Sequence, residues 1–444
     1  DFESPGSVLS QTSSSQLADR IDLEKTDISL SPLIDPKYSV RYHDGQYGVA
    51  LALDASDKAH INYNNYYETV YSANTSGSFA AEVISAKHRS GSSFGLDSTG
   101  KAHIAWASSL FYATNKTGTW VVQPQDIGQI EQGVALTFDS SDVPYIAFSQ
   151  NGDLKYAQQT PDGGFDVQIA STEGNCGYMP SFVIDANNKI HIIHIRISTG
   201  ELVYTTNAYG NWMDTVIGWS GTTPRSSSLA LDSKGKLHAS YFDALAEDLK
   251  YVTNSSGVWV DETIDSTDSV GQSPSIAIDR FDKVHISYLN RTQKGHYYAT
   301  NVSGSWAIEP GYYQGACEDG NDQTSIAVDS TEKPHFAIYA NIHGSCADMS
   351  DSPYYYTIDP TYQGSGNYTS AIYDTESNLG FNNIVWGETL PVSTSIQVKV
   401  RTSNNSAMAG APDWGSCAEV VYGADISVNG CVTDGDRYIQ YHLH

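Results

Sequence analysis

From about residue 37 to residue 360 the chain alternates apolar and polar positions over runs of four to eight residues. Clusters of Asp, Asn, Gly and Ser separate the runs. A period of two, rich in β-branched and aromatic residues, predicts strands. Residues 275–311 show the unit most clearly, as SIAID, KVHISYL, GHYYATN and SWAIEPG, four strand-like pieces in succession. Each unit opens on one motif: an apolar run, Asp, a short turn, usually Lys, one residue, then His. The copies are Asp54/His60, Asp97/His103, Asp139/Tyr145, Asp185/His191, Asp232/His238, Asp279/His285 and Asp329/His335, spaced 42 to 50 residues apart. Four antiparallel strands repeated at this period predict a β-propeller of seven blades. A solenoid of stacked hairpins is disfavoured by the four strands per unit and the lack of a capping repeat.

The seventh unit supplies TSIAVD, KPHFAIY and PYYYTID, then runs into PTYQGSGNYTS without the Trp-bearing fourth strand of the other units. Just before the first unit stands KYSVRYHDG, with the alternation of a strand, so residues 37–43 are expected to complete blade 7 and leave no open edge. After Pro360 the period stops. YTSAIYD, FNNIVWGETL, SIQVKVRTS, AEVVYGADISV and DRYIQYHLH predict a small β-sandwich, with Ile396, Val398 and Val400 alternating with Gln397, Lys399 and Arg401. The expected fold class is all-β: a seven-bladed β-propeller closed by an N-terminal strand, followed by a β-sandwich. The expected domains are 1–34 (an extension containing RIDLEKTDISL, either a linker or a docking strand), 35–360 (propeller) and 361–444 (sandwich).

Charge and composition narrow the role. Lys+Arg 24 against Asp+Glu 51 gives a net −27, which repels phosphate backbones and excludes a nucleic-acid partner. No apolar run approaches the roughly 20 residues of a transmembrane helix. The start at Asp1, the 30 tyrosines and the 17% charged residues suggest a processed, exported, extracellular or cell-surface β protein. The five cysteines show neither CxxC nor Cys/His metal spacing, so disulfides are expected, with one thiol left over. Sequons stand at Asn74, Asn115, Asn254, Asn290, Asn301, Asn367 and Asn404. Four of them share one place in the TN.SG turn, where Asn and Gly also serve the hairpin.

The unit SIAID…KVHISY…YYATN.SG.W resembles the repeats of secreted microbial β-propeller proteins of sialidase-like shape, over residues 37–360. The C-terminal stretch, with Tyr373-Asp374, Trp386, Pro391, Val400-Arg401-Thr402, Trp414 and Arg437-Tyr438-Ile439-Gln440-Tyr441, resembles the accessory β-sandwich modules joined to such propellers. The resemblance implies a fold and leaves the activity open.

Six histidines at one repeat position would lie in six separate blades, too far apart to converge on one ion. Each Asp is expected to cap its hairpin, and each His to satisfy buried backbone groups. These hairpins share one face of the disc with the TN.SG turns. The other face carries the second-to-third-strand loops and the crossovers, where binding usually resides. Candidate ligand-binding residues there are His88, Arg89, Tyr178, Arg196, Trp219, Arg225, Arg291, Tyr312 and Tyr313. The CEDGND loop offers Glu318, Asp319, Asn321 and Asp322 as oxygen ligands for calcium, although it matches no full calcium loop. Cys317 and Cys346 fall on this face beside blade 7 and are expected to pair, as are Cys417 and Cys431 in the C-terminal module, leaving Cys176 as the odd thiol. No sialidase Ser-x-Asp-x-Gly-x-x-Trp box, carboxylate couple, nucleophile elbow, Walker loop or zincin helix is present. A non-enzymatic interaction or adhesion protein, binding a glycan or protein partner by this face, is therefore the leading reading. The alternatives are a secreted glycoside hydrolase or lyase, and a structural subunit that self-assembles by adding RIDLEKTDISL to a neighbour's sheet.

Overall fold

The computed structural model describes residues 28–32, 48–64, 68–85, 92–107, 109–131, 133–221, 227–313, 323–341 and 351–358, and, in the C-terminal part, 368–370, 372–376, 378, 380–384 and 397–443. Within 28–358 these residues form seven four-stranded antiparallel sheets. Six are runs of four consecutive strands, at 49–85, 92–129, 134–171, 178–219, 227–265 and 270–313. The first strand of each sheet packs against the first strand of the next, and that of the seventh sheet (Gln323–Val328) against that of the first (Val49–Leu53). The ring is closed, and the fold is a seven-bladed β-propeller.

Burial follows radius. The second strands Ala59–Asn64 and Ala102–Trp106 are buried at every position, because neighbouring blades cover both of their faces. At the rim the fourth strand Ala80–Ser85 is exposed over its first four residues. Aromatic side chains bridge adjacent blades edge to face. Tyr71 of blade 1 meets Trp120 of blade 2 at 5.2 Å between centroids, Tyr204 of blade 4 meets Trp259 of blade 5 at 5.1 Å, and Tyr355 of blade 7 meets Phe79 of blade 1 at 5.0 Å.

Two further sets of bonds run round the ring. The innermost strand of each blade has one edge with no strand beside it, so its N–H groups need other acceptors. Five are supplied by a Ser four residues before the repeat Asp of the preceding blade. Ser93, Ser181, Ser228, Ser275 and Ser325 accept from the N–H of Leu136, Leu229, Ile276, Ile326 and Leu51. The second set lies between hairpins, where the residue after one repeat Asp meets the residue three after the next. Ser98 bonds Asp142, Ser140 bonds Asn188, Ser233 bonds Asp282, and Arg280 pairs with Glu332. Where the first position is Ala (Ala55, Ala186), the second is Gly (Gly100, Gly235). Ser330 completes the set across the seam, donating its N–H and hydroxyl to Asp57, 273 residues away. Asp57 sits at φ 59°, a conformation glycine tolerates. Asp57→Gly should therefore remove the latch without adding strain, costing about 1 kcal/mol. A thermal double-mutant cycle with Ser330→Ala should show coupling of that size, and zero coupling would refute the latch.

The strand that closes blade 7 is Ile28–Pro32, antiparallel to Asp351–Ile358 in the register Ile28↔Ile358 to Pro32↔Tyr354. This corrects the expectation for residues 37–43, which lie outside the described residues. It also bears on the docking-strand idea, since Ile28–Leu30 of RIDLEKTDISL are committed to the chain's own blade. Both segments alternate in sequence, and only pairing with the third strand distinguishes them.

The C-terminal unit contains a five-stranded sheet built around Tyr438–Leu443 and Val398–Ser403. Where a sandwich was expected, the described residues form this one sheet. Loop residues Phe381, Ile384, Ile426 and Val432 cover its apolar face, and Cys417 is bonded to Cys431.

Candidate functional site

The repeat residues are spent on the scaffold. In all seven hairpins the Asp Oδ1 accepts the backbone N–H groups two and four residues on; for Asp54 these are Ser56 and Lys58, at 2.8 and 3.0 Å. The histidines do not satisfy backbone groups, as had been expected. Each turns Nε2 to the carboxylate of its own Asp, at 3.0 to 3.5 Å, and Nδ1 to a Tyr hydroxyl on the third strand. His60, His191, His238, His285 and His335 bond Tyr71, Tyr204, Tyr251, Tyr298 and Tyr355 at 2.5 to 2.6 Å, and His103 bonds Tyr112. In blade 3, Tyr145 replaces His and stacks on Tyr156. The signal was in the sequence, as a Tyr on every third strand. Burial holds His103, His191, His238 and His335 below the usual imidazole range despite the adjacent carboxylate.

The Asn of the TN.SG turns is similarly engaged. Asn74, Asn115, Asn254 and Asn301 accept the first N–H of the second strand through Oδ1, at 2.7 to 2.8 Å. Asn290 is 3% exposed and bonds Gln293 N–H, so its side chain is closed to a glycan once blade 6 has folded. Asn404 is exposed. Asn367 lies outside the described residues.

The opposite face carries the unlike turns. His88, Arg89, Arg225, Cys317, Cys346 and the loop with Glu318, Asp319, Asn321 and Asp322 lie outside the described residues. Tyr312 and Tyr313 end the fourth strand of blade 6. Arg291 is exposed on the turn after Asn290. Tyr178 is half-buried, and burial and the Glu131 carboxylate push its hydroxyl pKa up. Arg196, expected as a candidate ligand-binding residue, is engaged within the chain. Its side chain is 12% exposed, and its guanidinium pairs with Glu201 at 2.6 Å, Glu173 at 3.4 Å and Asp214 at 3.5 Å, so it pins blade 4 instead. Asp214 also accepts from Ser171 and Thr205, and Thr205 bonds the buried His194. Cys176 is buried as a free thiol, with its sulfur accepting Leu154 N–H.

Trp219 remains as a presented side chain. It ends the fourth strand of blade 4, 37% exposed, with Nε1 donating to Thr199 O at 2.9 Å. Its seat is made by two glycines in left-handed conformations, Gly200 and Gly221. A Cβ at Gly200 would stand 2.9 Å from Nε1, and one at Gly221 would stand 2.9 Å from the Ala244 Cβ and 3.4 Å from the indole. Ser220 N–H and Gly221 N–H both donate to Gly200 O, and Ala244 N–H donates to Ser220 O, which laces the blade 4 and blade 5 turns together. Leu245, on that blade 5 turn, is 81% exposed. On the same turn Asp248 has its pKa pushed up by burial and by Asp243 and Asp265, despite Lys250. Sequence reasoning singled out Trp219 but neither Leu245 nor Asp248; DALAED carries no motif for them. Among the described residues, no group of three or more His, Cys, Asp or Glu is arranged to hold a metal ion.

No family model matches the chain. No curated protein matches it in sequence either. Solved structures do match in shape. Virginiamycin B lyase from Staphylococcus aureus is 13% identical, covering 74% of this chain and 99% of its own, with a TM-score of 0.50. The Aleuria aurantia lectin in complex with Fucα1-6GlcNAc is 10% identical, covering 60% and 94%, at 0.45. The intramolecular trans-sialidase from Ruminococcus gnavus is 11% identical, covering 74% and 98%, at 0.40. The chain is a β-propeller by its own sheets and is similar in shape to virginiamycin B lyase. At this identity the likeness is one of fold and selects no function.

Proposed function

We propose that the chain is an exported binding protein that presents the turn and crossover face of its propeller to a glycan, with Trp219 as the anchor. The observation that carries the reading is the seat of Trp219. Its indole is half open to solvent and fixed by two glycines and a hydrogen bond, whereas the recurrent Asp, His and Tyr side chains hold the blades. An aromatic ring fixed in this way suits stacking on a pyranose face, because little side-chain entropy remains to be lost on binding. The disulfide Cys417–Cys431 favours an oxidising compartment, and no described helix is long and apolar enough to cross a membrane.

The test is a glycan-array screen followed by calorimetry on the best ligand. Trp219→Ala should weaken binding about tenfold, or about 1.4 kcal/mol, with the melting temperature unchanged. A hydrolase would rest instead on Asp248, whose raised pKa suits a proton donor. Turnover of a polysaccharide, abolished by Asp248→Asn, would replace the binding reading.

A further inference from the structure

The C-terminal sheet has two unlike faces. Val398, Val400, Ile439 and Tyr441 are buried in the core of the unit. The opposite face carries Lys399 and Arg401, paired across the strands with His442 and Gln440. The short turn Trp414–Ser416 lays Trp414 over this face. The Arg401 guanidinium carbon stands 4.3 Å from the indole centroid, and the His442 ring stacks on it at 5.1 Å. Arg401 is held by Gln440 Oε1 at 3.1 and 2.7 Å and by Pro412 O at 3.1 Å, and Lys399 Nζ by Trp414 O at 3.1 Å.

Every one of those acceptors is neutral. Elsewhere Arg196, Lys234, Lys250, Arg280 and Arg437 each sit against a carboxylate. Lys399 and Arg401 meet none within ion-pair distance among the described residues, in a chain of net charge −27. Both retain donors with no acceptor among the described residues, since a guanidinium has five N–H groups and an ammonium three. Trp414 is partly exposed. Glu419 stands opposite Lys399 on the neighbouring strand but outside ion-pair distance, so Lys399 and Arg401, beside a supported indole, still offer donors to an anion carried by a flat apolar ring face.

We propose that this face is a second binding site, for an anionic saccharide. The carboxylate or sulfate takes the remaining donors of Lys399 and Arg401, and the pyranose ring packs against the exposed part of the Trp414 indole. The site is independent of Trp219.

Affinity electrophoresis of the full chain in native gels tests the site, with polygalacturonate, chondroitin sulfate or dextran cast in separate gels. Retardation is expected in an acidic polymer and absent in dextran, and the polymer that retards identifies carboxylate or sulfate as the anion. The net charge works against non-specific retardation by acidic polymers. Trp414→Ala and Lys399→Ala should each weaken retardation about tenfold, whereas Lys116→Ala, which removes one exposed cation from the propeller, should leave it unchanged. Melting curves show whether each variant is folded, and Lys399→Ala keeps the test available if Trp414→Ala is not. No retardation in either acidic polymer, equal retardation in dextran, or folded variants that bind normally would overturn the proposal.

Discussion

Acidification from pH 7 to pH 4.5 is expected to lower the melting temperature of the propeller by on the order of 10 °C, even though the chain is then losing its self-repulsion. The effect comes from buried imidazoles. Burial holds His296 at a pKa of about 3. It holds His194 at about 4, although Asp214 pulls the other way. An exposed imidazole in the unfolded chain titrates near 6.5. Above that value both states are neutral and nothing is lost. As the pH falls below it, the unfolded chain takes protons that the folded chain refuses, so stability is lost progressively down to the folded pKa. By pH 4.5 each site costs about 2 to 3 kcal/mol at 1.36 kcal/mol per unit. His103, His191, His238 and His335 are shifted in the same direction and add to the loss.

The repeat carboxylates extend the loss to lower pH. Burial raises Asp54, Asp97, Asp185, Asp279 and Asp329, but bonds from their own turns and from the paired His outweigh it, so each ends below the usual carboxylate range. Their stabilisation is present above about pH 4 and disappears as the pH falls through the depressed values. Surface charge predicts the reverse trend towards the isoelectric point near 4.6, where repulsion is least. The sign of the change therefore decides between the two effects. His194→Gln can still accept Gly177 N–H and donate to Thr205, the two bonds His194 makes. It should flatten the acid slope by about a third to a half. A melting temperature that is constant or rises between pH 7 and 4.5 would refute the account.

Deleting Ile28–Pro32 is expected to have a comparable effect by a different route. Five residue pairs with Asp351–Ile358 are lost, at about 1 kcal/mol for each ladder bond, or about 5 kcal/mol in all. A melting decrease on the order of 10 °C should follow. The uncovered edge should also make the protein associate with rising concentration, because unpaired N–H and C=O groups recruit other strands. Adding a synthetic DISLSP peptide should reverse both changes, as seen by calorimetry and light scattering. If deletion of 28–32 is silent and deletion of 37–43 is damaging, the closing strand is the one expected from sequence.

That contrast shows where the sequence is readable. ISLSP and KYSVRYHDG both alternate and both precede the first blade. Alternation reports that one side of a strand is buried, not which strand it pairs with. Arg196 and Trp219 were equally plausible site residues from their place in the repeat. Three carboxylates brought from Glu173, Glu201 and Asp214 neutralise Arg196, whereas Gly200 and Gly221 hold Trp219 open, and no local pattern distinguishes the two outcomes. The inter-blade latch is a different case. Polar residues after one repeat Asp accompany polar residues three after the next, and Ala accompanies Gly, so the pairing was written in the chain but becomes legible only once the blades are known to be neighbours.

The sequence alone determined the all-β class, the seven units of four strands, the capping Asp of each unit's first hairpin and the odd cysteine, because the first three are carried by the repeat pattern and the last by the cysteine count. Only the tertiary structure decided the closing strand, the partners of the histidines, the neutralisation of Arg196 and the seat of Trp219. The closing strand depends on ring closure, which also brings together groups as far apart as Leu51 and Ser325, 274 residues distant along the chain; the other three join residues near in sequence and depend on how paired strands and turns place their side chains.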